Sequence, residues 1–251
     1  MALIGRFRHA QRVFFGAVEG DRVRPLRGEV FRNPQASRKT LKLSELIVLP
    51  PVQPSKLIAV GLNYRDHAAE MGLTPPVEPL FWFKAPSSLL AHGGRIRVPY
   101  PGHRTDYEAE LAIVIGRTAR NVSAAAARRC IWGYTAAQDI SDRTIQRSES
   151  QWGRAKSFDT FTPLGPWVDT EMDPAALSIE LFQNGVRRQS SNTRELVFDC
   201  HAVVGHVSKH LTLVPGDVIL TGTPGGVGPI QSGDRLEVRI EGLGPLRNTV
   251  R

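Results

Sequence analysis

Cysteine is almost missing from this chain: Cys130 and Cys200 stand far apart, with no Cys-x-x-Cys spacing. That excludes a zinc framework and a disulfide-stapled scaffold, and it suits a reducing compartment, the cytoplasm by default. Long apolar runs are missing too. No uncharged stretch approaches the roughly 20 residues that span a bilayer, and the N-terminal MALIGRFRHAQRVFFG meets arginine at position 6, too early for a signal-peptide core. No membrane segment is expected. Lysine is scarce, only six (39, 42, 56, 84, 156 and 209) among 32 basic residues. The formal charge of +8 comes from arginines interspersed with acids along the whole length. A nucleic-acid binder would gather them into a stripe or tail beside aromatics, so small anionic partners fit better than nucleic acid.

What is present is enough to bury a sizeable core: 251 residues, 41% of them hydrophobic, as one large domain or as a domain with a small appendage. Eighteen prolines and 23 glycines, spread out and not clustered, indicate many turns between short elements. Residues 1–54 read as a small β-rich module, with short strands near 12–18 and 22–26 and a boundary at the prolines of 49–54. Residues 55–251 carry the rest. Strands are expected at 56–61, 80–84, 108–115, 134–137, 217–222 and 234–241, helices at 63–71 (capped by Asn63), 123–129 and 196–209, and a hairpin turning on Asn184-Gly185. The class is β-dominated α+β.

The stretch Tyr107-Glu-Ala-Glu-Leu-Ala-Ile-Val-Ile115 has a buried strand's composition yet carries glutamates at alternate positions. Alternation puts Glu108 and Glu110 on one face, which continues as Ala112 and Val114, while Leu111, Ile113 and Ile115 take the other. The bland reading is a solvated face with arginine partners, but Ala112 and Val114 suggest that the face is buried. Asp139 ends another expected strand after one intervening helix, in the manner of a β-α-β unit whose ends approach each other. Should the three carboxylates converge, their oxygens and charge of −3 call for a hard divalent ion, Mg²⁺, Mn²⁺ or Ca²⁺, not zinc. Lys156 could balance the remaining unit, although a lone lysine is more often a surface residue.

Two further groupings stand out. His67 and Glu70, three apart on an expected helix, share a face, and a carboxylate beside an imidazole makes a plausible base for activating water. The loop Thr221-Gly-Thr-Pro-Gly-Gly-Val-Gly228 could present backbone amides to an anion. It lacks the lysine of a P-loop, and no Gly-x-Gly-x-x-Gly opens a helix, so nucleotide binding is not expected.

Taken in order, VGLNYRDHAAEMG (60–72), DYEAELAIVIG (106–116), GYTAAQDISDRTIQ (133–146), AKSFDTFTPLGP (155–166) and PGDVILTGTPGGVG (215–228) resemble the fumarylacetoacetate hydrolase family over residues 55–251. The resemblance implies a mixed β-roll catalytic domain, a homodimer, and Mg²⁺ or Mn²⁺ held by Glu108, Glu110 and Asp139. It places Lys156 beside the metal, sets His67 and Glu70 on a segment that closes over substrate, and gives Arg143, Gln146 and Thr223 contacts with the substrate's carboxylate or keto group. Two positions depart from the family pattern: Gln138 before Asp139, and Thr144 after Arg143. Neither is an expected ligand, though both bear on how Arg143 is held.

The implied activity is metal-dependent cleavage of a carbon–carbon bond in a 2-oxo or 2,4-dioxo acid, such as an acylpyruvate, through a stabilised enolate. The alternative is an isomerase or decarboxylase of aromatic-acid catabolism, of the 2-hydroxyhepta-2,4-diene-1,7-dioate isomerase or 5-oxopent-3-ene-1,2,5-tricarboxylate decarboxylase type. A non-catalytic protein that binds anionic polymers is the rival from a different class, and it predicts no metal requirement.

Overall fold

The strand Ala109–Ile115 organises the fold, and all seven of its residues are buried. Leu111, Ile113 and Ile115 enter one core with Val203, Val204 and Val207 of the helix Cys200–His210. Ala112 and Val114 enter a second core with Leu57, Ala59, Val218 and Leu220. A strand covered on both faces is apolar wherever it meets a core, here at every position but Glu110, and its period of two sorts alternate side chains into the two cores. In the computed structural model, which describes residues 3–251, this strand is an inner strand of a twelve-stranded sheet. Residues 1 and 2, the start of the expected N-terminal module, lie outside the described residues.

On one side Ala109–Ile115 pairs antiparallel with Val218–Leu220, which runs parallel to Leu57–Gly61; Leu80–Lys84 then closes that edge. On the other it pairs antiparallel with Ile131–Gln138. The sheet continues through Val168–Asp169 into the N-terminal strands Leu3–His9, Arg12–Glu19 and Arg22–Arg27. A five-stranded sheet contains Ser178–Gln183 and Val186–Asn192, joined at Asn184 and Gly185, whose φ values of 55° and 82° are those a two-residue hairpin turn of the I′ type requires. A three-stranded sheet of Ser141–Asp142, Thr105–Tyr107 and Gly228–Pro229 completes the roll beside the site. The architecture is the strand-dominated mixed roll that the sequence suggests.

Four local expectations change. Glu108 is not inside the strand: it sits at the joint where Thr105–Tyr107 of the small sheet hands over to Ala109–Ile115 of the large one. The segments bearing Glu110 and Asp139 do not form a β-α-β unit. They are antiparallel neighbours, with Ala109 opposite Gln138 and the Asp139 N–H donating to the Glu108 carbonyl at 3.0 Å. In a parallel unit the start of one strand and the end of the next lie at opposite ends of the sheet, and antiparallel pairing is what brings them together. The last helix begins at Cys200 and not at 196, because the Asp199 carboxylate caps it by accepting from Ala202 N at 2.8 Å. Nor does Asn63 cap the helix Arg65–Glu70. Its amide donates to the Thr221 carbonyl at 2.8 Å and the Phe198 carbonyl at 3.1 Å, and its oxygen accepts from Phe198 N at 2.8 Å, tying the helix to two distant loops.

Gly133 is required where Ile131–Gln138 meets Val168–Asp169. A Cβ there would press into the Asp169 carbonyl oxygen and lie 2.7 Å from Val168 Cγ1. Gly133→Ala is therefore expected to cost about 1–3 kcal/mol as overpacking against backbone, read as a lower urea midpoint with an unchanged slope.

Candidate active site

Glu108, Glu110 and Asp139 are fully buried, and each offers a carboxylate oxygen within 4.8 Å of the others. The chain positions them by register: Glu110 stands one residue into its strand, Glu108 at the joint just before it, and Asp139 immediately after the partner strand. Lys156, at the end of the short helix Gly153–Lys156, is 2% exposed and not a surface residue. Its ammonium donates to Glu108 Oε2 at 2.8 Å, Asp139 Oδ2 at 2.8 Å and Ser141 Oγ at 2.7 Å. A second buried lysine, Lys84, closes on Asp139 Oδ1 and donates to the Phe161 carbonyl at 3.2 Å. Arg143 donates to Glu108 Oε1, to Asp106 Oδ2 at 3.0 Å and to Gln146 Oε1 at 2.7 Å.

These partners divide the carboxylates into two kinds. Burial alone would raise Glu108, but the charges of Lys156 and Arg143 bring it down to about 2. Burial also opposes the charge on Lys156, and Asp139 and Glu108 outweigh it, holding the lysine above its usual range. Glu110 is the exception. Among the described residues it forms no salt bridge, and its one hydrogen bond comes from Gly222 N at 2.6 Å. Burial, then the neighbouring Asp139 and Glu108 charges, push it well above the usual carboxylate range.

That imbalance is the test of whether the site suits a metal. A buried carboxylate next to two others, with no cation of its own, is costly unless something positive joins it. An all-oxygen set without histidine or cysteine fits Mg²⁺ or Mn²⁺. Glu108, Glu110 and Asp139 would hold the ion.

The cluster lies under a cavity of about 190 Å³ whose lining includes Glu108, Glu110, Arg143, Gln146, Lys156, Thr223 and His67. Of the residues singled out in the sequence, Asp139 is absent from that lining, and Glu70 stands behind His67. His67 Nδ1 is 3.4 Å from Glu70 Oε2, and Gly226 N donates to the same oxygen at 3.0 Å. The loop 221–228 thus does present amides to anions, but the anions are the protein's own Glu110 and Glu70. The Thr223 hydroxyl accepts from Gln189 Nε2 at 2.9 Å.

Lys84, Asp106, Ser141 and Gln189 escape a reading of the sequence alone. Gln189 accepts from Ala109 N at 2.9 Å and donates to the Pro224 carbonyl at 2.8 Å as well as to Thr223, fixing the strand that carries Glu110 to the loop. Only Lys84 carried a signal, one of six lysines and the terminus of an otherwise apolar Leu-Phe-Trp-Phe run. Gln138 is fully buried next to Asp139, and neither polar atom of its amide has a partner among the described residues. Thr144 Oγ1 accepts from Arg104 N at 3.3 Å, and Arg104 meets Arg143 twice, through its carbonyl, which accepts from Arg143 N at 2.8 Å, and through Asp106, to which both side chains donate.

A strand-dominated roll that buries a carboxylate cluster beneath a small cavity, with an imidazole in its wall, is the layout of an enzyme for small molecules. Residues 56–251 match the family described as fumarylacetoacetate (FAA) hydrolase C-terminal, and residues 3–51 match the one described as Rv2993c-like, N-terminal. The chain belongs to the fumarylacetoacetate hydrolase family. A solved structure titled 2-hydroxyhepta-2,4-diene-1,7-dioate isomerase from Mycobacterium marinum is 38% identical with a TM-score of 0.93, covering 100% of this chain and 98% of its own. The 2,4-didehydro-3-deoxy-L-rhamnonate hydrolase of Sphingomonas sp. (strain SKA58) is 40% identical over 207 residues, 78% of this chain and 73% of its own. The mitochondrial oxaloacetate tautomerase fahd2 of Xenopus laevis is 39% identical over 228 residues, 86% of this chain and 72% of its own. Family membership therefore implies an enzyme without selecting among isomerase, hydrolase and tautomerase chemistry.

Proposed function

We propose that this protein is a divalent-metal-dependent hydrolase that cleaves a carbon–carbon bond in a 2-oxo or 2,4-dioxo acid of the acylpyruvate kind. The observation that carries the reading is Glu110, a buried carboxylate left without a cationic partner beside Glu108 and Asp139, directly under a cavity that His67 also lines. Glu108, Glu110 and Asp139 would hold Mg²⁺ or Mn²⁺, which would supply Lewis-acid stabilisation of negative charge on a keto oxygen.

The chain's own groups do the rest. Glu70 favours the His67 tautomer with its proton on Nδ1, which leaves Nε2 to take a proton from water. The resulting hydroxide adds to the distal carbonyl, the bond between that carbon and the methylene breaks, and the released enolate recovers the proton from His67 as pyruvate. Lys156 keeps a fixed positive charge beside the reacting groups, and Gln146 and Thr223 orient the substrate's polar end. Arg143 acts through its hold on Glu108 and Gln146 as well as through its own charge.

A second reading is isomerisation, in which His67 shuttles a proton and no water is consumed. Its support is the Mycobacterium marinum neighbour, which matches this chain end to end. In either case the working form is read as a cytoplasmic homodimer, with residues 1–54 as a module appended to the catalytic part. Two facts are compatible with that setting: both cysteines are free and buried, and no helix among the described residues is long and apolar enough to cross a membrane.

A panel of 2-oxo and 2,4-dioxo acids, incubated with Mg²⁺- or Mn²⁺-loaded protein in ¹⁸O-water, tests the choice. Hydrolysis predicts pyruvate plus a carboxylic acid carrying one heavy oxygen. Products of unchanged mass with a moved double bond would replace hydrolysis by isomerisation, and no reaction across the panel would remove the enzymatic reading.

A further inference from the structure

The cavity has a second wall that the chemistry above leaves unused, and it is made of carbon. Trp82 lies beneath Lys156, whose Nζ is 5.1 Å from the ring centroid. Trp152 meets Trp82 edge-on at 5.0 Å and 77°. Leu62 lines the same space, and Met71 and Leu73, 55% and 46% exposed, form its rim. Two backbone features serve this wall. Gly61 stands where a Cβ would lie 2.8 Å from Trp82 and 3.3 Å from Trp152, so the missing side chain is what lets both indoles close on the strand. Leu62 adopts a φ of +52°, a left-handed conformation that a branched apolar residue holds only where its surroundings impose it.

Charge is distributed just as unevenly. The two permanently cationic side chains in the lining are Arg143 and Lys156. Arg143 is committed to Asp106, Glu108 and Gln146, and Lys156 to Glu108, Asp139 and Ser141. Among the described residues, Arg143 is the one arginine in the lining, and its hydrogen bonds go to polar side chains rather than toward an open partner. The Lys156 ammonium over Trp82 is already taken up by Glu108, Asp139 and Ser141, so a carboxylate at the far end of a substrate would shed its hydration there with no uncommitted cation to receive it, whereas an alkyl or aryl group would exchange water for indole and aliphatic contact.

We infer that Leu62, Met71, Leu73, Trp82 and Trp152 form a tail pocket that selects 2-oxo and 2,4-dioxo monoacids with an uncharged apolar tail and disfavours diacids of equal length. This specificity rests on the proposed function, because it takes the carboxylate cluster as the seat of the substrate's oxo-acid head. A binding measurement separates the two. Mg²⁺-loaded protein is titrated with 2-oxooctanoate and with 2-oxooctanedioate, which differ only at the tail terminus, and binding is followed by calorimetry and by quenching of tryptophan fluorescence.

The monoacid is expected to bind at least about tenfold more tightly, within the range hydrophobic pockets achieve. Trp152→Ala should bring the affinity ratio close to one, and Leu73→Arg should reverse it by giving the tail carboxylate a partner. Equal affinities in the wild type, tighter binding of the diacid, binding of neither acid, or a ratio that neither substitution moves would each overturn the tail pocket. Should the monoacid preference hold while no acylpyruvate is turned over, the pocket stands and the proposed reaction falls. Intact turnover with equal affinities removes the pocket alone.

Discussion

Glu110→Gln is expected to abolish binding of Mg²⁺ and Mn²⁺ and to lower turnover by several orders of magnitude, while leaving the metal-free fold at least as stable as the wild type. The two halves of that expectation come from different partners. Glu108 and Asp139 each meet buried cations, so removing either charge strands a lysine or an arginine in the interior. Among the described residues Glu110 has a backbone N–H as its one hydrogen-bond donor and no salt bridge. A carboxyl whose folded value is raised, as burial and then Asp139 and Glu108 raise this one, favours folding when protonated and loses that contribution as pH rises through its folded value. At neutral pH the ion-free protein therefore gains nothing from ionising Glu110, and a neutral glutamine relieves it.

Asp139→Asn gives the contrast. It also loses the metal, but it leaves Lys84 and Lys156 without their shared carboxylate, a loss of about 3–5 kcal/mol by analogy with other broken buried pairs. Glu108 follows the opposite pH rule from Glu110. Held at about 2, it contributes stability above the unfolded value of about 4.3, and that contribution fades as pH falls towards 2. Calorimetric titration with Mg²⁺, paired with thermal unfolding with and without the ion, reads every part of this. Wild-type Mg²⁺ affinity in Glu110→Gln would remove the metal assignment.

His67→Ala carries the second large effect. Hydrolysis of an acylpyruvate should fall by about 10²–10⁴-fold, the usual contribution of a positioned acid–base group, with Mg²⁺ affinity retained. His67 lines the cavity without being one of the three clustered carboxylates, which is why the two readouts should separate. Glu70→Gln keeps the size of the side chain and still faces Nδ1, so a smaller drop and a shifted pH–rate profile are expected. Equal hydrolysis rates before and after His67→Ala would take the residue out of the reaction.

The strand that carries Glu110 was legible because alternation is a local rule: Ala112 and Val114 do enter the second core, and Leu111, Ile113 and Ile115 the first. The Asn184-Gly185 turn was legible for the same reason, since two adjacent residues set both φ values. Asp139 was placed with the right neighbours for an incorrect reason, because sequence order alone does not distinguish a parallel crossover from an antiparallel return. Lys84 and Gln189 lay beyond local rules altogether. Lys84 reaches Asp139 across 55 positions, and Gln189 reaches Ala109 across 80. Each acquires its meaning only from the order of strands in the sheets, which no short window of sequence contains.

The sealed ion pairs around Asp139 have a consequence for ionic strength. Lys84, Lys156 and Asp139 have almost no contact with water, so added electrolyte cannot gather around them as it does around surface charges. It can only weaken the long-range pull that a basic protein exerts on an approaching acid. Rising salt should slow the capture of substrate from dilute solution and leave the saturated rate where it was.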